Sequence, residues 1–346
     1  MKPVNTHTPN IELIAPAGSF AALKAALTAG ADAVYLGLQN STNARNFSGL
    51  NFSSEQIVQG VEFAHRLGRK VLFAINTFPQ AGRSSEWRAA IDVAHDVGAD
   101  AVILADPGLL AYASDRYPEL RLHLSVQASA THADAIEFMR EQFGIRRAVL
   151  PRVLTLSEIG RLIEKTSVEI EVFGFGSLCV MAEGRCLLSS YATGDSPNNK
   201  GVCSPAHAVR WYDDGNTLEA RLNGILIDRY EAGEHAAYPT LCKGRFEVID
   251  GDGEHVADHA LEEPTSLNAM SLLPRLLEMG VSALKIEGRQ RSPAYVSQVT
   301  ATLRAALDSL HADPARFSAR PEWQSALARH AEGSQVTQGA FDRPWK

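Results

Sequence analysis

The sequence has no run of about 18 apolar residues, so no transmembrane helix is expected. Residues 1–10 are polar and lack the apolar core, roughly 7–15 residues long, of a secretory leader, so the expected location is cytosolic. An excess of positive charge is also missing. The formal net charge of -7 excludes a general basic field, and generic binding to a nucleic-acid backbone is not expected. Only four cysteines are present, whereas 45% of the 346 residues are hydrophobic, enough for a large core that needs no disulfide staples. In a reducing compartment, metal binding is the better use for such thiols. Two proteolytic patterns, G-x-S-x-G and H-E-x-x-H, are absent. Gly174-Phe175-Gly176 begins a dinucleotide-type loop, but Cys179 stands where its third glycine belongs.

What is present is a recurring unit in which an apolar helix ends at a glycine and a short β-branched run follows. Gly30 precedes Ala33-Val34-Tyr35-Leu36, and Gly98 precedes Ala101-Val102-Ile103-Leu104. Gly68, Gly144 and Gly280 stand likewise before Val71–Ile75, Ala148–Leu150 and Ala283–Ile286. Each glycine reads as a helix C-cap feeding a buried strand. With Ile11–Ile14, Leu122–Val126 and Val168–Val172, these runs make eight strands, which predicts an α/β fold, an eight-stranded parallel (β/α) barrel. An open doubly wound sheet is the structural rival, and both architectures bind ligands at the carboxyl ends of strands.

Spacing is regular through the seventh strand, and then about 100 residues intervene, far more than one crossover helix needs. The division expected is 1–178 for the first seven βα units, 179–270 for a cysteine-bearing insertion, 271–312 for the closing strand and helix, and 313–346 for a polar C-terminal tail from which no function is read. Within the insertion, His207–Tyr212 and Phe246–Ile249, the latter before an Asp250-Gly251 turn, have the pattern of short antiparallel strands. The charge run from Glu219 to Glu234 is expected to be a solvated face.

Cys179, Cys186, Cys203 and Cys242 are separated by 6, 16 and 38 residues, without the C-x2-C knuckles of structural zinc sites. On spacing alone, zinc and an iron-sulfur cluster both remain open. Cys179 closely follows the seventh strand, so the metal is expected over the barrel's carboxyl-end mouth. Asn76, Asp106, Gln127, Arg152, Lys285, Glu287 and Arg289 would stand at strand ends around that mouth. Lys285 and Arg289 are the candidate partners for an anionic substrate, with an ion pair sealing the rim as the alternative role. His65, His95 and His132 lie in helical stretches and are expected at the surface or in packing.

The segments Glu171-Val-Phe-Gly-Phe-Gly-Ser-Leu-Cys179 and Gly184-Arg-Cys186-Leu-Leu-Ser189 resemble the signature of the collagenase-like peptidase family of group U. The similarity extends through Asn43-Ala44-Arg45, Ser125-Val-Gln127, Gly201-Val-Cys203, Pro239-Thr-Leu-Cys242-Lys243 and Lys285-Ile-Glu287-Gly-Arg289. The resemblance implies that the four cysteines bind one 4Fe-4S cluster. RNA-modifying members usually carry a histidine where Phe175 stands here. Phe175, Ser189-Ser190-Tyr191, Arg210-Trp211 and the 262–268 segment are most similar to the branch acting in anaerobic ubiquinone biosynthesis. That branch implies oxygen-independent ring hydroxylation of a polyprenylated ubiquinone precursor and prephenate as hydroxyl donor. It also implies a heterodimer with a homologous protein, and a lipid-carrier accessory protein. Two alternatives are an RNA base hydroxylase and a non-catalytic metal-stabilised module.

Overall fold

The computed structural model describes residues 10–343 apart from Ser48 and Asp250. Asp250 of the expected Asp250-Gly251 turn, most of the polar 1–10 segment and residues 344–346 of the tail lie outside the described residues.

Seven parallel strands alternate with helices through the first half of the chain. The strands are β1 (Glu12–Pro16), β2 (Ala33–Leu36), β3 (Lys70–Ile75), β4 (Ala101–Leu104), β5 (Leu122–Leu124), β6 (Arg147–Val149) and β7 (Glu169–Ser177). The helices between them are α1 (Phe20–Thr28), α2 (Ser54–Arg66), α3 (Ser84–Asp96), α4 (Pro107–Arg116), α5 (Ala133–Phe143) and α6 (Leu156–Lys165). Capping boxes start α2 at Ser53 with Gln56 and α6 at Thr155 with Glu158, where side chains satisfy amides that the first helical turn leaves free. The strands β2 and β4 are buried along their whole length because helices cover one face and the barrel interior the other.

Beyond β7 come α7 (Leu188–Thr193), α8 (Pro197–Lys200) and an antiparallel sheet of β8 (Val209–Asp213), β9 (Thr217–Leu222) and β10 (Ile225–Glu231). A hairpin of β11 (Phe246–Ile249) and β12 (His255–Asp258) follows. Next, β13 (Ser266–Asn268) pairs antiparallel with the carboxyl end of β7. After α9 (Leu273–Met279), β14 (Ala283–Ile286) inserts between β1 and β7, with Glu12 opposite Ala283 and Ala283 opposite Glu171. That pairing closes an eight-stranded parallel barrel, as expected, and rules out the open sheet. The chain continues through α10 (Pro293–Ala312) and α11 (Pro321–Ala328), and β15 (Val336–Thr337) adds to β13.

Two expectations need correction. The Glu219–Glu234 run is not merely a solvated face: it contains most of β9 and β10, in which Ala220, Leu222 and Ile227 are buried among charged neighbours, and Asp228 itself is buried. His207 lies in a one-turn helix before β8, so the first strand of that sheet starts later than its sequence pattern indicates.

A small apolar layer of Ile14, Ala33, Tyr35, Leu72, Ala101, Ile103 and Ala283 fills part of the barrel interior. Near the amino ends of the strands, Arg147 bonds to Glu12 at 2.6 Å, to Glu169 at 2.7 Å and to Glu171 at 3.4 Å. Glu171 also accepts from Lys285 Nζ at 2.7 Å. Buried charges are tolerable only when paired in this way. The network plugs the lower end of the barrel and leaves its upper end open to a cavity.

Candidate functional site

The cavity, of about 840 Å³, runs from the barrel interior up through the loops at the carboxyl ends of the strands. Its lower wall is largely apolar, with Tyr35, Ala74, Ile103, Val149 and Phe173. Its upper wall includes Cys179, Cys186, Cys203 and Cys242, four free thiols from four different stretches of the insertion. Among the described residues, no three His, Cys, Asp or Glu side chains are gathered as a single-ion site.

Two glycines permit this arrangement. Gly184, at φ +92°, presses on the Gln127 carbonyl so closely that a Cβ would lie 1.8 Å from its oxygen. Gly201, at φ +77°, approaches the Asn43 carbonyl to within 2.6 Å of a built Cβ. Only glycine tolerates both the left-handed backbone and the contact, so the loops carrying Cys186 and Cys203 can seat directly on the barrel mouth.

Arg45 is the most unusual side chain at the rim. Its backbone adopts φ 70°, a costly conformation for arginine, held by a 2.7 Å bond from its amide to the Gly201 carbonyl. The preceding Ala44 amide donates to Asn76 Oδ1 at 2.9 Å. Arg45 Nε reaches Glu287 at 3.4 Å. Burial opposes its charge, but the Glu287 carboxylate outweighs burial and holds the guanidinium protonated. Arg152 bonds to Glu183 at 2.8 Å and to the Ser177 carbonyl at 2.6 Å, and lies over the Phe173 ring.

Burial, followed by the nearby Glu183 carboxylate, raises the Cys179 thiol well above its ordinary range. Burial and the neighbouring Cys203 push Cys242 up to about 11. Free in this pocket, both thiols are protonated at neutral pH, so binding a metal would release protons.

Lys285 and Arg289 both line the cavity, and they differ in their partners. Lys285 is committed to Glu171 and lies 4.0 Å from the centre of the Tyr35 ring. Arg289, 3% exposed, donates from Nη2 to Asn43 at 2.9 Å, while its Nη1 is buried without a hydrogen-bond partner. Burial lowers its pKa to about 10.

Of the other strand-end residues, Asn76, Gln127, Arg152 and Glu287 line the cavity. Asp106 does not: it caps α4 by accepting from the Leu109 amide at 3.0 Å, as a short side chain before Pro107 readily does. His65 pairs with Asp100, His95 stacks on Tyr117 and His132 caps α5. Lys243, which follows Cys242, is buried and paired with Glu332, and Arg245 pairs with Asp228. Sequence reasoning singled out neither Tyr35 nor Glu332. Tyr35 lies inside an apolar strand, and Glu332 belongs to the C-terminal segment.

Comparison with known proteins adds relatives to this geometry. The chain is 33% identical over 326 residues to tRNA hydroxylation protein P1 of Bacillus subtilis, covering 94% of this chain and 70% of that protein. It is 33% identical over 313 residues to tRNA hydroxylation protein P of Escherichia coli, covering 86% and 68%. It is 31% identical over 307 residues to the 23S rRNA 5-hydroxycytidine C2501 synthase of Escherichia coli, covering 89% of this chain but 40% of that enzyme. Residues 18–344 match peptidase family U32, to which the chain belongs.

Proposed function

We propose that the chain is an oxygen-independent hydroxylase, that Cys179, Cys186, Cys203 and Cys242 hold one 4Fe-4S cluster, and that the substrate is the ring of a polyprenylated ubiquinone precursor. The observation that carries this is the convergence of all four free thiols on one cavity that continues into the barrel. A set of four thiolates suits a 4Fe-4S cluster as it suits zinc, and the resemblance of the cysteine-bearing segments favours the cluster. When bound, such a cluster supplies one-electron transfer.

The chain's own residues have separable tasks. The apolar lower wall suits a ring and excludes water from it. Arg289 anchors a carboxylate of the donor, prephenate, through a guanidinium that has unused bonding capacity. Lys285 lines the same space and adds positive potential there, while its direct bond goes to Glu171. Arg45 and Arg152 offset the negative charge of the thiolates.

We place the chain in the UbiU branch, on the segments that include Phe175, in a heterodimer with a homologous UbiV-type partner and served by a lipid-carrier accessory protein. No helix among the described residues is long and apolar enough to cross a membrane. We do not read the chain as a genuine peptidase. In this reading all four thiols would be cluster ligands, leaving none to attack a peptide, and the Lys243 beside Ser177 is ion-paired with Glu332.

A second function is favoured by the names of the relatives, which hydroxylate tRNA or carry out rRNA 5-hydroxycytidine synthesis. In that case the cavity would take a base. Gene deletion separates the two. Loss of ubiquinone in anaerobic cells alone, rescued by wild type and not by Cys203→Ala, supports the quinone. Normal anaerobic ubiquinone with a missing RNA hydroxyl supports the base.

A further inference from the structure

We propose that Glu332 is a positioning residue that ties the loop carrying Cys179 to the loop carrying Cys242, so that the C-terminal segment sets how firmly the two thiols are held. The inference deepens the cluster proposal but stands on a geometry of its own.

Three side chains from distant parts of the chain meet at the cavity wall. Ser177, two residues before Cys179, donates to Glu332 Oε2 at 3.0 Å. Lys243, immediately after Cys242, donates to Ser177 Oγ at 2.8 Å and also bonds Glu332 Oε2 at short range. The Lys243 and Glu332 side chains are 6% and 13% exposed, so the contact is shielded from the screening that weakens surface ion pairs. All three residues line the cavity.

The segment that supplies Glu332 is itself fixed. The Glu332 amide donates to Ser266 Oγ at 2.8 Å, and the Ser266 amide donates to the Gln335 carbonyl at 3.1 Å. Since β13 pairs with the carboxyl end of β7, the force holding Glu332 traces back to the barrel wall. On the Cys242 side, the Glu262 amide donates to the Cys242 carbonyl at 3.1 Å. One carboxylate thus joins two ligand loops whose cysteines, Cys179 and Cys242, are 63 positions apart.

A serine beside a lysine also occurs in hydrolytic pairs, but there the lysine must be neutral to accept a proton. Here Lys243 is ion-paired with Glu332 and gives its hydrogen bond to Ser177 Oγ, so it acts as a donor. The contact is a tie.

The test compares wild type with Glu332→Gln, Glu332→Asp and, as a surface control, Glu322→Gln on α11. Amide hydrogen exchange is followed by mass spectrometry in the protein as purified, together with the rate at which a chelator removes iron anaerobically. In Glu332→Gln, exchange in both 177–181 and 241–245 should rise by about tenfold, and iron loss should accelerate. Glu332→Asp, which keeps the charge, should restore most of the protection, and Glu322→Gln should match wild type. Faster exchange confined to 330–337, with both thiol loops unchanged, would overturn the tie. If Glu332→Gln does not fold, Ser177→Ala, which removes the hydroxyl bonded to both Glu332 and Lys243, decides by the same pattern. Wild-type protein without iron would contradict the cluster proposal, while the exchange data would still decide the tie.

Discussion

Arg289 gives one hydrogen bond to Asn43 at 2.9 Å and keeps its other terminal nitrogen buried without a partner. Leaving a guanidinium nitrogen unsatisfied costs free energy that a carboxylate ligand would return. Arg289→Lys, which keeps the charge but loses the fork, should raise the KM for the anionic donor by at least about tenfold. Arg289→Ala should abolish turnover with iron content and fold intact. Unfolding of the alanine variant would instead assign Arg289 to sealing the barrel rim.

The Lys285–Glu171 pair tests the opposite role. Both side chains are buried inside the barrel, and Arg147 also leans on the same carboxylate. Glu171→Gln leaves two cations undercompensated and should lower unfolding stability by roughly 3 kcal/mol, read from denaturant midpoints. The double variant Glu171→Gln/Lys285→Met should recover part of that loss, since removing both partners costs less than orphaning one.

Four thiolates make a complete ligand set. Anaerobically prepared protein should be brown and carry about four irons and four sulfides per chain. Alanine at Cys179, Cys186, Cys203 or Cys242 should each remove the iron. Stoichiometric zinc without visible absorption would contradict the assignment.

Sequence adjacency points to Arg185, Lys243 and Arg245 as the cations beside the ligands, whereas the geometry brings in Arg45 from the other end of the chain. Lys243 and Arg245 are paired with Glu332 and Asp228. Arg45→Gln should therefore lower the midpoint potential of the cluster measurably without expelling iron. An unchanged potential in that variant would confine Arg45 to bracing Glu287.

Glu287 sets an acid limit to stability. Burial opposes its charge, but Arg45, Arg152 and Arg291 overcome burial and hold its carboxyl below the ordinary value of 4.5. A carboxyl with a depressed folded-state pKa contributes stability that is complete above the unfolded pKa and is lost as pH falls through the folded one. Unfolding stability should thus decline below about pH 4.5, and Glu287→Gln should show a shallower decline alongside a lower neutral plateau.

The barrel was legible because its units repeat a local physical pattern, a glycine that ends a helix before a doubly buried apolar strand. Gly98 and Ala101–Leu104 show it plainly. In β9, by contrast, charges alternate with the inward Ala220 and Leu222, and the net impression is of a polar surface. The three residues of β13 have no pattern of their own and become a strand only by pairing with β7. At the site, the cysteines, Lys285 and Arg289 could be anticipated from residue type and strand-end position. Arg45 could not be ranked above other arginines, because its importance comes from a left-handed backbone and a carbonyl more than 150 positions away, at Gly201. Glu332 was hidden for the same reason: only the folded chain brings the C-terminal segment to Ser177 and Lys243.

The most direct measurement is anaerobic turnover by the chain purified together with the proposed homologous partner, offered a polyprenylated ubiquinone precursor and unmodified tRNA and rRNA in parallel, with prephenate as the proposed donor. Hydroxylated precursor, formed without oxygen and abolished by Cys203→Ala, is the predicted result. Hydroxylated RNA with the quinone precursor untouched would contradict it.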